Sequence, residues 1–71
     1  MFNVYFQNNC KDRRLIGAKE THEEAIMVIR DFLKSKNYDS PYWRSWVDDK
    51  NLEWFDVGSW SEFFIIEKTT N

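Results

Sequence analysis

Only one of the 71 residues is a cysteine, Cys10, so no internal disulfide can form and folding needs no oxidising compartment. One proline and two glycines are too few for a fibrous or Pro/Gly-rich flexible chain. His22 is the only histidine, with no second His and no suitably spaced Cys to complete a zinc set. No apolar run approaches the roughly 20 residues that span a bilayer. The opening MFNVYFQNNCKDRR lacks a basic stretch followed by an apolar run and a cleavage site. These absences set the first expectation: a single cytoplasmic domain over 1–71, acting in the cytosol and not at a membrane.

What the chain has in excess is aromatic surface. Aromatics make up 18% of it, and all four tryptophans (Trp43, Trp46, Trp54, Trp60) fall within residues 42–66. A chain this short buries only about 60% of its unfolded surface, so some of these rings must build the core. The net charge of −2 is unevenly spread, with seven Lys/Arg against five Asp/Glu in residues 1–36 and three against seven in 37–71. Acidic residues therefore crowd the tryptophan-rich half, where a nucleic-acid backbone would want Lys and Arg. That argues against direct nucleic-acid binding and favours a basic protein partner.

Side-chain periodicity predicts the elements. In FNVYFQ (2–7), Phe2, Val4 and Phe6 alternate with Asn3, Tyr5 and Gln7, the period-2 pattern of a strand. The polar run 8–12 reads as a turn into a second strand over 13–19. Thr21-His22-Glu23-Glu24 has capping-box spacing, and Ala25, Ile26, Ile29, Phe32 and Leu33 recur at helical spacing, predicting a helix that ends near Lys36 or Asn37. Three strands follow, over 42–47, 52–57 and 62–67, joined by turns at 48–51 and 58–61, with 69–71 frayed. The expected fold is α+β, a small antiparallel sheet in the order β-β-α-β-β-β with the helix on one face. One helix covers about half of such a sheet. The set Phe2, Val4, Phe6, Phe55 and Val57 suits the covered side, although alternation alone leaves open which set faces the helix.

The candidate sites follow from the residue types. His22 as a base, or Cys10 as a nucleophile with His22 beside it, would lack an oxyanion donor and a third group, so no catalytic residue is expected. Asp48, Asp49, Glu53 and Asp56 are close in sequence, but a calcium loop needs acids at alternate positions and a glycine. A solvated hairpin tip is the simpler reading, and no metal or cofactor is expected. Tyr42, Arg44 and Trp46 share one strand face, with Trp54 on the next strand, and Trp, Tyr and Arg are the residue types that dominate protein interfaces. Against this stands the bland reading, in which the rings fill the core and Arg44 pairs across the strand with Asp56 or Glu53. The expected partner-binding residues are Tyr42, Arg44, Trp46, Trp54, Asp48, Asp49, Glu53 and Trp60. An alternative use of the same face is to hold a small nucleotide-like ligand, with Arg13, Arg14 or Arg44 on a phosphate.

The segments YWRSW (42–46) and WFDVGSWSEFF (54–64), with VYF (4–6), RLIG (14–17) and EEA (23–25), give the chain a resemblance over nearly its whole length. It resembles short accessory proteins encoded by phages and prophages of Gram-positive bacteria. In these an aromatic-Arg-x-Trp strand precedes an Asp-Val-Gly-Ser turn and a Glu-Phe-Phe strand. The resemblance implies a viral factor that binds and redirects a host protein, inhibitors of CRISPR nucleases and other anti-defence proteins included. It carries over no catalytic residue. The implied partner is a host protein, one with a basic nucleic-acid-binding groove among the candidates. A homodimer is a further expectation, since self-association would also cover an apolar sheet face.

Overall fold

The computed structural model describes residues 1–8, 12–36, 43–58 and 62–69. Cys10, Asn37, Tyr42, residues 59–61 of the turn expected at 58–61, Trp60 among them, and residues 70–71 of the end expected to fray lie outside the described residues; Thr69, expected to fray with them, is held instead, its N–H donating to the Met1 carbonyl at 2.8 Å. The elements run β1 (Phe2–Gln7), β2 (Arg13–Lys19), α1 (His22–Ser35), β3 (Arg44–Val47), β4 (Glu53–Asp56) and β5 (Phe63–Lys68). All pairings are antiparallel, in one sheet of order β2-β1-β5-β4-β3. The expected α+β architecture and element order are therefore present. Strands three to five are each shifted or trimmed by a residue or two at their ends relative to the sequence pattern.

The helix begins as its sequence demands. Thr21 Oγ1 accepts from the Glu24 N–H at 3.1 Å, satisfying one of the amides that a helix start leaves without a partner. The carboxylate half of the cap differs from expectation. It accepts from the Thr21 hydroxyl at 3.0 Å instead of reaching the Thr21 N–H. Ala25, Ile29 and Leu33 form the fully buried stripe, with Ile26 and Phe32 beside them.

That stripe settles the choice between faces. Val4, Phe6, Phe55, Val57, Phe64 and Ile66 all pack toward α1, so Phe2, Val4, Phe6, Phe55 and Val57 are the covered set. At its centre Phe6, Phe32 and Phe64 form a triangle with ring centroids 5.0, 5.4 and 5.6 Å apart, tilted or edge-on as ring quadrupoles prefer. Lys36 Nζ closes one side, 4.6 Å from the Phe6 centroid. Where α1 passes over β2, a Cβ on Gly17 would stand 2.9 Å from Val28 Cγ1, so a side chain there would force Val28 to shift.

Toward β3 the helix face thins. Trp43 covers Phe55 edge-on at 6.1 Å and lies under the Arg30 guanidinium at 5.3 Å, while Val47 stays 61% exposed. Glu53 also points to this side, where its Oε1 meets His22 Nε2 at 2.5 Å, and the His22 ring stands edge-on to Phe2.

Candidate functional site

Among the described residues nothing forms a second layer over the sheet face turned away from α1, and strand register arranges the side chains of that face in rows. The first row reads Arg13, Gln7, Phe63, Asp56, Arg44 across the five strands. The second reads Leu15, Tyr5, Ile65, Trp54, Trp46. The third contains Ala18, Asn3 and Glu67 and ends at the β3–β4 turn with Asp48. Alternation alone puts these residues together once the other set is committed to the helix.

Rings dominate the β3–β4–β5 end. Trp46 and Trp54 lie parallel, 7° between planes and 6.3 Å between centroids, and Phe63 meets both edge-on at 6.3 and 6.0 Å. The Arg44 guanidinium lies 5.5 Å over the Trp46 ring and donates to Asp56 Oδ2 at 3.4 Å. Trp46 remains 39% exposed, and Arg44 is exposed beside it.

Arg13 spans the other half. Its guanidinium carbon is 5.9 Å from both the Tyr5 and the Trp54 centroids. Those rings stand on strands flanking β5, about 10 Å apart at ordinary strand spacing, so the guanidinium lies between them, above β5. Two bonds to Gln7 Oε1, at 3.2 and 3.1 Å, hold it there. Beneath this roof Ile65 is completely buried, although it lies outside the helix-side core. Among the described residues no carboxylate pairs with Arg13.

Asp48 organises the far corner. One carboxylate oxygen accepts from the backbone N–H groups of Lys50 and Leu52 at 2.8 and 2.9 Å, and the other accepts from Trp54 Nε1 at 2.8 Å. Asn51 takes φ 63° at the tip, a conformation that Asn tolerates. The Trp54 bond first, then that from Leu52, holds the Asp48 carboxyl below its ordinary value. A depressed folded pKa means that the unfolded chain binds the proton more tightly. The stabilisation is therefore full above the unfolded value, near pH 4, and is lost as pH falls through the folded one. Acidification below about pH 4 is expected to lower the urea midpoint of the wild type. Asp48→Asn should flatten that acid limb, and an unchanged limb would remove Asp48 from this role. At the alkaline end burial first, then the bond to Glu67 Oε1 at 3.1 Å, raises the Tyr5 phenol.

The structure thus brings together Arg44, Trp46, Trp54 and Asp48 from the expected set. Asp49 stands exposed at the turn, and Tyr42 and Trp60 lie outside the described residues. Glu53 belongs elsewhere: one residue from Trp54, it points to the helix side and meets His22, so Arg44 pairs with Asp56 instead. The sequence pattern missed Tyr5, Phe63 and Ile65 as members of this face; of the arginines offered to a phosphate, Arg13 and Arg44 stand on it and Arg14, opposite Phe6, does not. Tyr5 and Arg13 sit on β1 and β2, and only the β1–β5 pairing carries them to the tryptophans. Among the described residues no three His, Cys, Asp or Glu side chains gather as a metal site, and no helix is long and apolar enough to cross a membrane. No protein family, curated protein or solved structure matches this chain.

Proposed function

We propose that this is a non-enzymatic binding protein that docks another protein on the open face of its sheet. The observation that carries the reading is the cluster of Trp46, Trp54 and Phe63 with Arg44 at its edge, on a face that none of the described elements covers. Ring and guanidinium surfaces bury large area at small entropic cost, which is why Trp, Tyr and Arg anchor protein interfaces. Phe63 and Trp54 hold the Trp46 ring in place before any partner arrives, which lowers the cost of ordering it.

The resemblance to phage accessory proteins supports a host cytosolic protein as target, a CRISPR nuclease or another defence factor among the candidates. The exposed Asp49 at the β3–β4 turn would suit a basic, nucleic-acid-binding groove on such a partner. The test is capture from a Gram-positive host lysate on immobilised protein, followed by titration of the captured partner. Trp46→Ala and Arg44→Ala are each expected to weaken binding more than about tenfold while leaving the circular dichroism unchanged. Folded variants that bind as tightly as wild type would sink the sheet-face reading.

A further inference from the structure

Net charge on the open face changes sign between rows. The first row, on one side of the aromatic strip, carries Arg13, Arg44 and one acid, Asp56, which pairs with Arg44 at 3.4 Å. Glu67 and Asp48 stand in the third row, on the other side. The middle row, from Leu15 at one sheet edge to Trp46 at the other, carries no charge.

Such a face is complementary to itself. A two-fold axis along the middle row turns the first row of one copy over the third row of the other. Arg44 then faces Asp48 of the second copy, and the Arg13 guanidinium, held above β5, comes toward Glu67 of the second copy. The alternative two-fold, parallel to the strands, would set Arg13 against Arg44 and waste the arrangement on like charges. From the face and this charge order we infer that a second copy of the chain covers the open sheet, in a face-to-face dimer whose axis runs along the row Leu15–Tyr5–Ile65–Trp54–Trp46.

The inference rests on the reading of this face as a protein-docking surface, and names its first occupant. Five strands at about 4.8 Å spacing and five residues along each give a footprint of roughly 20 by 17 Å. That is roughly 340 Å² per copy, below the roughly 800 Å² a side of a standard interface, so the dimer is a weak one and is expected to dissociate on dilution. Two copies packed this way would bury Trp46, and any other protein partner must then compete with self-association.

Sedimentation equilibrium across a concentration series tests it. The wild type is expected to approach twice 8.7 kDa and to dissociate more readily as salt is raised. Trp46→Lys should raise the dimer dissociation constant more than about tenfold with an unchanged circular dichroism spectrum. The axis is read separately, with pyrene attached at Leu15→Cys in a Cys10→Ser background. Leu15 maps onto its own mate across the proposed axis and onto Trp46 across the alternative, so excimer emission is expected. A monomer at the highest soluble concentration, a dimer indifferent to Trp46→Lys, or a dimer without excimer emission each overturns the inference. So does nucleic acid, seen as 260 nm absorbance, moving with the protein. A monomer whose partner binding still depends on Trp46 would overturn the dimer alone and leave the docking surface standing.

Discussion

Phe64→Ala is expected to remove about half of the stability of the fold. Phe64 lies on the central strand, is 1% exposed, and touches both other rings of the Phe6–Phe32–Phe64 triangle. Truncating a buried phenylalanine costs about 3–5 kcal/mol, as lost transfer energy plus the cavity left behind. A domain of this length holds only about 4–10 kcal/mol in total. The remaining rings are anchored on β1 and α1, so the hole cannot close without moving the helix. Urea denaturation followed by circular dichroism reads the loss. A midpoint close to wild type would mean that the triangle is not the centre of the core.

Ile65→Ala is expected to cost about 2–4 kcal/mol, the range for a buried isoleucine. Its neighbour in sequence sits in the main core, but Ile65 points to the opposite face, where a side chain open to water would cost almost nothing to truncate. The difference comes from the roof formed by Tyr5, Trp54 and the Arg13 guanidinium, beneath which Ile65 is completely buried. The effect is expected to come with a changed Trp54 fluorescence, since the ring loses the support under its edge. A loss below about 0.5 kcal/mol, the level of an ordinary surface change, would show that water already reaches this site.

Much of this architecture could be read from side-chain periodicity. The helix was legible because its cap and its three- and four-residue spacing agree, and the strands because polar and apolar residues alternate. Alternation sorts residues into two sets without saying which is covered, and that was decided by α1 lying against Val4, Phe6 and Phe64. Arg44, Trp46 and Trp54 could be grouped because one short turn joins their strands. Tyr5 and Phe63 could not, because they meet through a pairing between opposite ends of the chain, and Arg13 could be named only as one of three arginines for a phosphate. Proximity in sequence misled at Glu53, where a one-residue step reverses the face. It also made Asp48 look like a free acid, whereas three donors converge on it.

The strand order constrains how the molecule comes into being. β5 is the only strand that touches both halves of the sheet, with β1 on one side and β4 on the other, and Thr69 N–H reaches back to the Met1 carbonyl at 2.8 Å. During synthesis every other element leaves the ribosome before it. The early hairpin with α1 over it and the later tryptophan hairpin have no strand pairing with each other until residues 63–68 slot between them. Joining the two halves therefore rests on the pairing of greatest separation along the chain, β1 with β5, whose closure costs the most chain entropy.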